Sequence, residues 1–158
     1  MDIAALLGQG AAMTPWLLLM LWAWVPDPAA LEVYAAAFAA VYDVDADEVL
    51  AVAWVESRHQ RNPTSSYRPD PWSLEHPWRI CGVMQVTGGR YGKPHCGLIV
   101  GWLWVGVWAG AQHMHYWQGR CRRTWACGYS KGNSGCQVDG CHYMRKVRRL
   151  ARWKPWEE

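Results

Sequence analysis

The sequence predicts a mainly helical domain with a minimal extended element, preceded by an apolar N-terminal helix. Three observations predict it. Apolar residues recur at helical spacing in several segments, and only one short stretch, Gly82 to Val86, reads as extended. The 158-residue chain suits one domain, and a chain of this size buries about two thirds of its unfolded surface. Residues 1–28 are read as the apolar N-terminal segment and residues 29–158 as the domain.

Ile3 to Val25 carries no charge, and its most apolar part runs from Trp16 to Val25. It has about the length that crosses a bilayer. Gly8, Gln9, Gly10 and Pro15 interrupt it, and the chain begins with Asp2 where an export signal begins with positive charge. Three roles stay open: a membrane-contacting segment or uncleaved anchor, an export signal, or an apolar helix packed on the domain or on a partner chain. Pro26-Asp27-Pro28 is expected to break the run as a short linker, because proline disfavours helix at the residue before it.

Helices are expected at residues 29–42 and 46–57. The second is well marked, since Asp45 can accept from the first free backbone N–H groups and Glu48, three residues on, can reach back. Val49, Val52, Ala53 and Glu56 follow the i, i+3, i+4, i+7 spacing, so Glu56 shares its face with small apolar side chains. Desolvation there penalises the ionised carboxylate and suits it to hold a proton near neutral pH. A polar, Pro-rich connection from Asn62 to Trp78 follows, with Asp70, Glu75 and His76, a candidate cleft wall or lid. Gly82 to Val86 is expected to be short and extended, leading into a turn at Gly88-Gly89. Residues 98–118 are expected to be helical and buried. Residues 139–153 form a basic amphipathic helix with Met144, Val147 and Leu150 inward and Arg145, Lys146, Arg148, Arg149 and Arg152 outward.

The net charge of +3 is too weak to indicate nucleic acid, and there is no phosphate-cradling glycine loop. Thirteen tryptophans against one phenylalanine offer flat faces that suit sugar rings, although each is first a candidate for packing. Cys81, Cys96, Cys121, Cys127, Cys136 and Cys141 all lie after residue 80. An even number in a small domain reads as disulfides in an oxidising compartment. Local loops favour the pairs Cys81–Cys96, Cys121–Cys127 and Cys136–Cys141. Zinc held by Cys136, Cys141 and His142 with His113 and His115 is disfavoured, because the Cys-x2-Cys spacing is absent. His113 and His115, two apart on a helix, face different ways and read as surface or groove residues.

Glu56-Ser57 at a helix end, Asn62-Pro63, Gly82-Val83-Met84-Gln85-Val86 and Ala126-Cys127-Gly128-Tyr129-Ser130 occur in that order. Together they resemble the lytic transglycosylase branch of the lysozyme-like superfamily, whose pattern is Glu-Ser, then Gly-Leu-Met-Gln-Ile/Val, then Ala-x-Ala-Tyr-Asn-x-Gly. The resemblance covers residues 29–150. It implies a lysozyme-like fold with minimal sheet and Glu56 as the catalytic acid and base, supported by Ser57. It also implies that Met84, Gln85 and Val86 line a saccharide cleft with Ser130, and that Tyr129 sits near the acid. Two positions depart from the family: Ser130 stands where the pattern has Asn, and Gly106, four before Gly110, stands where an Asn is usual.

The resemblance further implies cleavage of the β-1,4 bond between N-acetylmuramic acid and N-acetylglucosamine in peptidoglycan, with a 1,6-anhydro product and no cofactor or metal. Such an enzyme works in the periplasm or outside the cell, or travels in a phage virion. A hydrolytic muramidase using Asp70 or Glu75 to hold water is one alternative. A weakly active structural or wall-binding component of a virion or envelope machine is the other.

Overall fold

A computed structural model describes residues 27–59, 80–88, 96–138 and 140–157. The apolar stretch 3–25 and the connection holding Asn62-Pro63, Asp70, Glu75 and His76 lie outside them. The described chain is mainly helical, with one two-stranded sheet. Among the described residues, no helix is long and apolar enough to cross a membrane. The chain divides into two compact units, residues 1–30 and residues 31–158, and Glu56 belongs to the second.

Helix α1, Asp27–Tyr42, begins two residues before the expected start. Pro28 falls in its first turn, where a missing backbone N–H costs nothing, so Asp27-Pro28 opens a helix instead of acting as a linker. Tyr34, Ala35, Phe38 and Ala39 are buried along it. Helix α2, Ala46–Ser57, has the expected cap: Glu48 N donates to Asp45 Oδ1 at 2.9 Å. It ends at Arg58 in the left-handed region, whose N–H closes on the Trp54 carbonyl. Val49, Val52 and Ala53 are fully buried, as their spacing requires.

The stretch read as extended is instead the turn of a hairpin. Strand β1, Ile80–Cys81, pairs antiparallel with β2, Val86–Thr87, with Cys81 opposite Val86. Gly82 (φ 77°) and Gln85 (φ 48°) both take left-handed backbone angles, and Gln85 N bonds back to the Gly82 carbonyl at 3.0 Å. Glycine at the first turning residue lets the chain reverse within four residues.

The expected helix over 98–118 is two helices, α3 (Cys96–Gly101) and α4 (Leu103–Cys121), separated by an extended Trp102. A 3-10 turn, Arg122–Thr124, leads into α5 (Trp125–Lys131), and a second, Gly132–Gln137, follows it. Helix α6 is His142–Trp153, with Met144, Val147 and Leu150 buried as the periodicity predicts. In the core α2 packs on α6, while α4 packs on α3 and α5. Gly110 of α4 faces the hairpin turn, where an added Cβ would overlap the Met84 side chain. Gly106, one turn earlier, lies against Val83 and the Ile99 carbonyl, so this departure from the family pattern sits in a tightly packed place.

All six cysteines are in disulfides, which leaves none as a thiolate ligand. Cys81–Cys96 forms as expected, but the other two bridges are Cys121–Cys136 and Cys127–Cys141. The expected local pairs fail for a geometric reason. Cys121 closes α4 and Arg122 (φ 48°) breaks the helix after it, so Cys121 bridges to the second 3-10 turn while Cys127, inside α5, bridges to the cap of α6. Between Cys136 and Cys141 the chain extends through Val138 and turns at Gly140 (φ 69°). Each bridge therefore joins separate elements across 14 or 15 residues, and a loop of that size stabilises by about 3 kcal/mol.

Candidate active site

Glu56 sits on the last turn of α2, half-buried, with its carboxylate turned toward α6. Tyr143, in the first turn of α6, donates its hydroxyl to Glu56 Oε1 at 2.5 Å. Burial raises the Glu56 pKa above the ordinary carboxylate value, and the Tyr143 hydrogen bond and the positive charge of Lys146 pull it partly back. Desolvation is the larger influence, so the site favours a protonated carboxyl while keeping a donor ready for the carboxylate. Burial and the nearby Glu56 charge hold the phenols of Tyr143 and Tyr129 well above their ordinary value, so both are donors at any working pH.

Tyr129 comes from α5 and donates to the Met84 carbonyl at 2.7 Å, which fastens α5 to the hairpin turn. Its ring lies nearly parallel to that of Tyr143, with centroids 6.4 Å apart. His113 of α4 meets Tyr129 edge-on at 4.9 Å. Trp117 Nε1 donates to His113 Nε2 at 3.1 Å, so in the neutral ring the proton is on Nδ1. Tyr116, 52% exposed, stacks on the other side of His113 with the two planes within 4°. An aromatic row thus leads from Glu56 through Tyr143, Tyr129 and His113 to the surface at Tyr116.

The residues singled out in the sequence play uneven parts here. Glu56, Tyr129 and the Gly82–Val86 turn come together. Met84 and Val86 have buried side chains that belong to the core, and what Met84 supplies to the site is its carbonyl. Gln85 is half-buried and donates Nε2–H to the Gly82 carbonyl at 2.9 Å. Ser57 is buried, and its hydroxyl donates to the Ala53 carbonyl one turn back at 2.9 Å instead of to Glu56. Its support of the acid is therefore confined to the helix end that carries both. Ser130 is exposed and donates to the Cys127 carbonyl at 3.3 Å.

Tyr143 is the residue that sequence reasoning missed. It is 87 positions from Glu56, and at the head of a basic amphipathic helix nothing local distinguishes it from a packing aromatic. Among the described residues, no group of three His, Cys, Asp or Glu side chains is placed to hold a metal ion. Compared with known proteins, the chain matches no family model, no curated protein and no solved structure.

Proposed function

We propose that this chain is a lysozyme-like peptidoglycan lytic transglycosylase in which Glu56 alone serves as acid and base. The observation that carries the reading is a desolvated carboxyl at a helix end, hydrogen-bonded by Tyr143 and joined to the Gly82–Val86 turn through Tyr129. The raised pKa favours the protonated Glu56 that the first step needs, in which its proton goes to the glycosidic oxygen that leaves. The substrate's own N-acetyl group assists at the anomeric carbon. Glu56, now ionised and held by Tyr143, takes the proton of the C6 hydroxyl, whose oxygen closes the 1,6-anhydro ring. No second carboxylate and no water take part, and a C6 hydroxyl already held in the cleft outcompetes bulk water by proximity. Three disulfides suit the periplasmic or extracellular setting in which this substrate occurs.

Digestion of purified peptidoglycan, read by mass spectrometry, tests this directly. Muropeptides ending in 1,6-anhydro-N-acetylmuramic acid, each lighter by one water than a hydrolytic product, are expected. Reducing ends would overturn the reading in favour of a muramidase with Asp70 or Glu75 as its second carboxylate. No soluble product from folded, oxidised protein would leave a structural or wall-binding role. Glu56→Gln is expected to keep the helical circular dichroism and to lower product release by about 10²–10⁴-fold, the usual worth of a positioned acid–base group.

A further inference from the structure

The charge of this chain is unevenly placed. Residues 103–154 hold ten of the sixteen Lys and Arg but only one of the thirteen Asp and Glu. The modest net charge conceals a strongly basic C-terminal half. On α6, Arg145, Arg148, Arg149 and Arg152 fall at i, i+3, i+4 and i+7, so they form one stripe, opposite the buried Met144, Val147 and Leu150. All four are exposed, as are Arg122 and Arg123 on the 3-10 turn beside them. The two groups are joined: Arg148 Nη2 donates to the Arg123 carbonyl at 3.3 Å.

None of these six guanidinium groups is ion-paired among the described residues. Arg145 donates to the Gly140 carbonyl, a neutral acceptor that orients the side chain and leaves its charge uncompensated, and Arg152 donates to the Arg148 carbonyl. On one flank, Asp45, Asp47 and Glu48 face Arg148 and Arg152 across a groove, and that flank neutralises itself. The open part of the stripe is Arg122, Arg123, Arg145 and Arg149.

We infer that this face binds a linear phosphodiester polymer of the cell envelope, of the poly(glycerol phosphate) kind. Arginine in every one of the six positions favours phosphate, whose oxygens accept two parallel N–H bonds from the planar fork. A membrane surface fits less well, because the apolar side of α6 is buried in the core and has nothing to insert between lipids. The choice of an envelope polymer over a nucleic acid rests on the proposed function and on the oxidising setting that suits three disulfides, while the arginines themselves do not touch Glu56.

Purified poly(glycerol phosphate) binding is to be measured by tryptophan fluorescence on the intact oxidised protein at several salt concentrations. If four phosphates are neutralised at a slope of about 0.7 per phosphate, affinity falls roughly 50-fold between 50 and 200 mM salt. The quadruple Arg122→Gln, Arg123→Gln, Arg145→Gln, Arg149→Gln variant is expected to lose most of both the affinity and the salt slope. The matching four Arg→Lys changes are expected to keep the slope and weaken binding, since lysine keeps the charge and loses the fork. Peptidoglycan cleavage by either variant is expected to be unchanged on polymer-free substrate. Absence of binding at low salt, full binding by the Gln variant, or tighter binding to phosphatidylglycerol vesicles or single-stranded DNA would each overturn the assignment.

Discussion

Residues 27–59 and residues 80–157 reach order by different means. The first stretch holds no cysteine and rests on a helix cap, a left-handed stop and apolar burial. The second holds six cysteines, all bridged, and two 3-10 turns break its helical path between α4 and α6. The candidate acid comes from the first and the phenols around it from the second. Local helix rules place Glu56, whereas covalent links between distant segments place what surrounds it.

The strongest way to break this division is to remove the bridge that joins the two tyrosine-bearing helices. Cys127→Ala with Cys141→Ala is expected to cost about 3 kcal/mol in denaturant unfolding. Muropeptide release should fall with it, because α5 and α6 then lose their fixed spacing while α2 keeps its own order. Unchanged activity in the folded variant would show that packing alone sets the site.

Gly110→Ala comes next and should cost about 1–3 kcal/mol, the usual penalty of an overpacked core. The new methyl would lie 2.5 Å from Met84 Cβ, an atom that no rotamer change can move away, so α4 or the hairpin must shift. Thermal unfolding measures the cost, and the gain in helix propensity from alanine offsets only part of it.

Tyr143→Phe removes one charge-assisted hydrogen bond, worth on the order of 1.5 kcal/mol when the carboxylate is ionised. That bond lowers the Glu56 pKa, so its loss raises it. If Glu56 must be protonated to act first as an acid, the alkaline fall of the pH–rate profile should move to higher pH in the Phe variant. An unmoved limb would show that Tyr143 does not tune the acid.

The smallest effect has the opposite sign. A carboxyl whose pKa is raised on folding contributes stability below its ordinary pKa and loses it as pH rises through the raised value. Glu56→Gln, which cannot ionise, should therefore melt at a higher temperature than the parent at neutral pH. The two should melt together below about pH 4, where the carboxyl is protonated in both folded and unfolded chains. Equal melting temperatures across the range would mean that burial does not strain the acid.

What the sequence discloses follows the same division. Asp45 and Glu48, then Val49, Val52, Ala53 and Glu56, define α2 to the residue, because capping and periodicity are local. The stripe of α6 is equally plain. The hairpin was hidden because its strands are two residues each, too short to show alternation, and Gln85 enters left-handed backbone without being glycine. Nearness in sequence pairs Cys121 with Cys127 and Cys136 with Cys141, whereas the packing of separate elements sets Cys121 beside Cys136 and Cys127 beside Cys141. Tyr143 could not be found from spacing at all, since its partner is brought to it only by the packing of α2 on α6.

Cys127 and Cys141 each stand two residues before a tyrosine of the site, Tyr129 and Tyr143. Cys141 is also the first residue of α6 in effect, its sulfur accepting from Met144 N at 3.4 Å. One oxidation event therefore fixes where a helix begins and how far apart two phenols stand. A chain held reduced would carry its acid without the fixed frame that binds it, so under the proposed function its activity would begin only where the thiols are oxidised.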